Sequence, residues 1–274
     1  MAKKINTELR DNITEYIRAR LTEMQDETVR EKRIASNPAI ASDKIIGAPT
    51  PALKRFAKSI SEQAYLDFDT MMAVRAYLTT LPHRYLDEDV LHMLLLVHTR
   101  DFNKCMWYMD LFLPYVSSLE VVQQPLPTIF KDNQWILFPS ARRWSWAEQP
   151  YACYYGIRLL RELYMQRWFY DRELDSVSRT VSTYDFVNDM AAAYMTDALI
   201  YHWDLAIKVI EDRRLTPEIH ALTLQRVSRS RKLTAEQRKQ VTSLKYDYYR
   251  PFPHWYQIDP VLPYKDWWWS ATAE

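Results

Sequence analysis

The chain has only two glycines in 274 residues, Gly47 and Gly156. Ordinary usage near 7% would give roughly 19 in a chain of this length. Glycine adopts positive φ without penalty, so tight hairpins, bulges and phosphate-cradling loops depend on it. A dinucleotide fingerprint and a P-loop are excluded, because each needs several glycines within a few residues. The scarcity points to an all-α fold. Fourteen prolines agree with it, since proline is at home in the first turn of a helix.

Local patterns carry the same message. Leu9, Ile13, Ile17 and Leu21 form one apolar stripe at i, i+4 spacing. "TPALKRFAKSI" opens with Thr50 as N-cap and Pro51 at the first helical position, and "LTPEIHALTLQRV" repeats that start at Thr216 and Pro217. Asp87 stands before "EDVLHMLLLV" and Asp101 before "FNKCMWYMDLFL", each where a helix is predicted to begin. Thr234 with Gln237 predicts a capping box. Long helical stretches are also predicted over 146–164 and 184–201. About a dozen helices of roughly 10–20 residues result, and pairs recur at roughly 35–45 residues, the period of two-helix solenoid repeats. The expectation is a helical-repeat domain over 1–245, with a compact irregular bundle as the alternative.

Residues 246–274, "YDYYRPFPHWYQIDPVLPYKDWWWSATAE", differ from the rest, with ten aromatics and four prolines. Proline at that density forbids a regular helix, and the aromatic content is too high for an ordinary disordered tail. The segment is expected to lie extended against its own domain, a protein partner's groove or unpaired bases.

The net charge of +1 hides an asymmetry. Between 213 and 245 nine Lys/Arg face only Glu218 and Glu236, a local +7 that leaves −6 for the remainder. Such a face reads as a polyanion footprint, or as a solvated helix surface. Cys105 and Cys153 have neither zinc spacing nor a disulfide framework, and buried thiols are expected. His92, His202 and His220 show no ligand spacing and are expected in structural roles, with no metal and no cofactor. The longest apolar run, "VLHMLLLV", falls short of the roughly 18 residues a membrane span needs. "MAKKINTELRDN" has no apolar signal core, so a cytoplasmic protein with no membrane association is expected.

One stretch breaks the helical pattern. In "LPYVSSLEVVQQPLPTIF" Ser117 and Ser118 stand where a cap belongs, yet Gln123 and Gln124 sit one turn in and Pro125 follows at once. That stretch belongs to a set of strings that together resemble a known family. "DKIIGAPTPALKRFAK", "LPHRYLDEDVLH", "FVNDMAAAYMTDAL" and "EDRRLTPEIHALTLQRVSRSRKLTAEQRKQVTSLK" resemble, in order, motifs of the helical-repeat DNA alkylation repair family. The matches span about residue 10 to Lys245.

The resemblance implies a right-handed α-solenoid of HEAT-like repeats whose basic concave face holds duplex DNA. Active members are glycosylases that remove N3- and N7-alkylated purines. A carboxylate stabilises the oxocarbenium-like sugar, indole faces bind the cationic groups, and an arginine holds the phosphate. The family's "LPYVDNWATCD" aligns with "LPYVSSLEVVQ", so the aromatic position holds Leu119 and the carboxylate position Gln123. The phosphate-holding arginine corresponds to Tyr154 and the second indole to Ala193. Glutamine carries no charge, so the main electrostatic element is missing. A shift of register onto Trp135 places Pro139 where the acid belongs. Glu120 is the nearest carboxylate and the candidate substitute acid, or else a first-turn residue favourable to the helix dipole.

Arg213, Arg214, Arg229, Arg231 and Lys232 match the family's basic positions, and phosphate contacts are expected there. The functional expectation is a family member without catalysis that binds duplex or branched DNA. The alternatives are an alkylpurine DNA glycosylase using Glu120, and a protein-interaction scaffold acting through 246–274.

Overall fold

The computed structural model describes residues 12–169 and 171–245. Leu9 and the aromatic segment 246–274 lie outside the described residues. Among the described residues there are fourteen α-helices and no strand. Contacts group them into two compact units, Met1–Trp168 and Phe169–Glu274, so the span expected as one domain carries an internal division after Trp168.

The first unit holds α1 (Ile13–Glu23), α2 (Glu27–Ser36), α3 (Thr50–Leu66), α4 (Phe68–Thr79), α5 (Leu86–Val97) and α6 (Phe102–Phe112). It continues with α7 (Leu119–Val122), α8 (Gln134–Ser145) and α9 (Pro150–Leu159), which runs on into a π-turn at Leu160–Tyr164. Three 3-10 turns, Ser42–Lys44, Leu113–Tyr115 and Thr128–Phe130, join them. At the centre is α5, which touches α1, α3, α6 and α7 and has all its residues buried. Val90, Leu91, Met93 and Leu96 are wholly shielded from solvent. Each such side chain stabilises the unit by about 1.5–3 kcal/mol relative to exposure.

Asp87, predicted to stand before α5, lies inside it, because the helix already begins at Leu86. Its carboxylate accepts hydrogen bonds from the N–H groups of Ile46 (2.8 Å), Gly47 (3.1 Å) and Ala48 (2.7 Å), and it also pairs with Arg33. Cap duty at α5 falls to Glu88, whose side chain accepts from the N–H of Arg84 and of Tyr85 at 3.2 and 3.0 Å. Gly47 has φ +92, and an added Cβ would sit 2.8 Å from the Arg30 Cα. A turn that aims three consecutive N–H groups at one carboxylate therefore fixes the first glycine. The second is fixed by packing. A Cβ on Gly156 would lie 2.1 Å from the Ser145 nitrogen, so α8 and α9 meet backbone to backbone there.

The second unit holds α10 (Asp171–Ser178), α11 (Asp185–Tyr201), α12 (Trp203–Glu211), α13 (Pro217–Arg229) and α14 (Ala235–Ser243). Its spine is α11, which packs on α10, α12 and α13, while α14 packs on α13. Ala191, Ala192, Tyr194, Met195 and Ala198 are fully buried along the spine. Arg213 ends α12 in the left-handed region at φ 54. Its N–H donates to the Ile210 carbonyl (3.2 Å), and the Arg214 N–H reaches back to Val209 (3.0 Å). These are the two bonds of a Schellman closure, a position where glycine is usual.

The predicted helix starts hold at Asp101, Thr216 and Thr234. Each side chain accepts from the backbone N–H of the third residue of its helix, and Gln237 completes the capping box at 2.9 Å. At α3 the start shifts by one residue. Pro49 occupies the cap, Thr50 is already helical, and the Thr50 hydroxyl instead faces Arg33 and Glu120. The stretch predicted as one helix over 146–164 is divided. Trp146 closes α8, and Gln149 caps a new helix at Pro150 by accepting from the Ala152 N–H. Among the described residues no helix is long and apolar enough to cross a membrane.

Candidate functional site

The segment 113–130 folds around one very short helix. Ser118 caps α7 by accepting from the Glu120 N–H (3.2 Å), and its hydroxyl donates to Asn37 at 2.6 Å. Four residues later the helix stops, because Pro125 has no N–H to continue it. A helix this short leaves its last carbonyls without intrahelical partners. Arg158 of α9 answers one of them, donating from Nη1 to the carbonyl of Val122 (2.6 Å) and also to that of Gln124 just beyond the helix (2.8 Å), while its Nε pairs with Glu162 at 2.7 Å. The buried Gln124 side chain donates back to the Glu120 carbonyl at 2.9 Å. One of the two amides is thus part of the helix end.

The other amide, Gln123, is exposed at the C-cap, and its Nε2 donates to the Tyr154 hydroxyl at 3.3 Å. The two positions that the resemblance assigns to a carboxylate and an arginine are therefore neighbours, but they form a neutral amide–phenol pair. Leu119, at the aromatic position, is the first residue of α7 and half-buried. Ala193, at the second indole position, lies on α11 in the other unit and is 6% exposed.

Glu120 is held elsewhere. Its carboxylate accepts from Arg33 Nε at 3.0 and 2.9 Å, from Arg33 Nη2 at 2.6 Å, and from the Thr50 hydroxyl at 3.3 Å. Arg33 is 5% exposed and also binds Asp87, which is fully buried. The chain Asp87–Arg33–Glu120 ties α2, the start of α3, α5 and α7 into one charged knot. A carboxylate clamped by a guanidinium has its negative charge largely balanced, which leaves little for a cationic sugar. Sequence spacing had no means of finding Arg33 as its partner, since 87 residues separate them.

The basic face of the second unit divides into two kinds of residue. Arg214 is engaged with Asp175 and with the Ser178 hydroxyl (3.2 Å), and Arg213 is the half-buried residue closing α12. Arg226 pairs with Asp189 at 2.6 Å. Arg229 and Arg231 are exposed, and no acid among the described residues pairs with either. Lys232 is exposed, with its ammonium 3.4 Å from the Tyr201 hydroxyl and 5.7 Å from that ring's centre.

The loop carrying these three is held from beneath. Arg238 donates to the carbonyls of Ser230 (3.0 Å) and Leu233 (2.6 Å), and Leu233 is buried. Exposed Lys239 extends the cationic surface along α14. Arg238 was legible only as one cation of the basic span, and Tyr201 had no signal in the sequence, since both act by position on neighbouring elements.

The histidines have structural surroundings. His83 Nε2 and His92 Nδ1 are 2.9 Å apart, His92 stacks on Phe112 at 3.8 Å, and His83 on Tyr77 at 4.7 Å. Burial lowers both pKa values, His83 to about 4. His202 stacks on Phe169 at 3.8 Å, and His220 Nε2 is 2.7 Å from the Leu244 carbonyl. Cys105 and Cys153 are free and buried, and burial pushes both thiols up to about 12. Among the described residues no three His, Cys, Asp or Glu gather in a metal-holding group. No protein-family model, curated protein or solved structure matches this chain.

Proposed function

We propose that the protein is a non-catalytic, DNA-binding relative of the helical-repeat alkylation repair proteins, gripping the phosphate backbone with Arg229, Arg231 and Lys232. One observation carries the reading. The position of the expected carboxylate holds Gln123, hydrogen-bonded to Tyr154, while the exposed Arg229 and Arg231, at the end of α13 and in the loop after it, have no acidic partner among the described residues. A neutral amide cannot stabilise an oxocarbenium ion by charge. Unpaired exposed cations on a fixed loop can contact phosphates, with affinity that is independent of sequence and sensitive to salt.

A solenoid of HEAT-like repeats is the architecture that goes with this proposal. In its support, helices within each unit touch their neighbours at both one and two steps along the chain. Thus α3 packs on α4 and α5, and α11 on α12 and α13. Paired helices stacked on the next pair give that pattern.

The competing glycosylase reading needs Glu120 to face a sugar. Its three contacts to Arg33 and its place in the Asp87–Arg33–Glu120 knot weigh against that. Release of methylated purines from alkylated duplex DNA tests the two. The non-catalytic reading expects no release above the spontaneous rate, and robust enzyme-dependent release would overturn it.

A further inference from the structure

The first unit also has a cleft of about 210 Å³ lined by Lys58, Ser61, Glu62, Tyr65, His98, Arg100 and Thr128. The first four share one face of α3, at i, i+3, i+4 and i+7 spacing. His98 is the C-cap residue of α5, Arg100 follows it, and Thr128 opens a 3-10 turn. Three separate segments therefore converge on one space.

The lining is dominated by donors. Arg100 sits over the Tyr65 ring, its guanidinium carbon 3.6 Å from the centroid, a cation–π contact that holds it at the cleft. Among the described residues Ser61, Tyr65, His98 and Arg100 give their side-chain donors to no protein acceptor. Thr128 is the exception, its hydroxyl directed to the Val97 carbonyl at 3.4 Å. Glu62 is the sole carboxylate in the lining, and Lys58 meets it only loosely at 3.8 Å.

We propose that this cleft binds a small dianion of the phosphate monoester type. The Arg100 fork would take two oxygens, Lys58 would turn from Glu62 to the anion, and Ser61 and Tyr65 would donate to the remaining oxygens. Desolvation, then the nearby Lys58, hold the His98 pKa below its ordinary 6.5, opposed by Glu62. A bound dianion reverses that balance and raises it, so binding and His98 protonation favour each other. Charged groups that act on the imidazole are Lys58 and Glu62 of α3, and Arg100 of its own segment lines the same cleft. The site is independent of the α13–α14 loop, so it can stand or fall without the DNA reading.

Sulfate is the clean probe, because its charge is constant over the range where His98 titrates. The His98 imidazole proton resonances should move saturably with sulfate, and binding should be tighter at about pH 5.5 than at about pH 8. Arg100→Gln and Lys58→Gln should each weaken sulfate by about tenfold, whereas Glu62→Gln should tighten it. Circular dichroism of each variant checks that the fold persists. Competition then identifies the source of the phosphate. Displacement by a nucleoside 5′-monophosphate alone assigns a small metabolite. Displacement by a 5′-phosphorylated duplex as well, but not by its 5′-hydroxyl twin, assigns a nucleic acid end. The proposal fails if sulfate produces no saturable shift at His98, or if folded Arg100→Gln binds it as well as the parent.

Discussion

Gly156 and Arg213 show the glycine-poor composition at work at single positions. At Gly156 any side chain would enter the backbone of α8, with a Cβ 2.1 Å from the Ser145 nitrogen. Gly156→Ala should therefore destabilise the protein by about 3 kcal/mol or more, because α8 and α9 must separate. The urea midpoint measures it. Arg213 is the opposite case, an arginine held at φ 54 where glycine would relax. Arg213→Gly should raise stability by about 0.5–1 kcal/mol, the left-handed penalty less the entropy that glycine loses on folding.

The sequence states that glycine is scarce, and from this the helical class follows. Why these two glycines remain is not legible in it. One answers a carboxylate 40 residues away and the other a neighbouring helix. Both are contacts of the folded chain. The same holds for Glu120. Its type and its place in the first turn of α7 were readable, but the Arg33 that clamps it was not.

Helices α5 and α7 both depend on polar groups removed from water. Asp89 of α5 is 8% exposed, and its pKa is pushed up to about 8, first by burial and then by Glu88. In the folded protein it keeps a proton that the unfolded chain loses near 3.8. The folded state therefore binds more protons between those values, and this residue's contribution to stability declines as pH rises from 3.8 to about 8. Asp89→Asn should remove the decline, so its advantage over the parent in urea should widen up to about pH 8 and then level off.

His83 acts in the other direction. Its folded pKa of about 4 lies below the ordinary 6.5, so stability is lost as pH falls through that window.

In α7 the end of the helix rests on Arg158. Arg158→Met should cost about 1–3 kcal/mol by leaving the Val122 and Gln124 carbonyls unpaired. Helix starts with a Ser, Thr or Asp cap were mostly legible, as at Asp101, Thr216 and Thr234. They misled at Thr50 and Asp87, where a tertiary partner outcompeted the local N–H. Helix α8 escaped the sequence reading, since Pro139 interrupts its interior.

At the scale of the whole molecule, the chain is an all-helical protein of two units, and the proposed DNA contact belongs to the second. The basic span 213–245 was legible as charge. Its usable part was not, because Arg214 and Arg226 are engaged with Asp175 and Asp189. Sequence counts the cations, and only the fold shows which of them lack an acid. The measurement that tests the account most directly is duplex DNA affinity across a salt series, for the parent and for an Arg229→Glu, Arg231→Glu variant. The parent should bind with log K falling linearly in log salt. The variant should bind about tenfold or more weakly, with a slope reduced by about two. Undetectable binding by the parent at low salt, or a folded variant indistinguishable from it, would contradict the account.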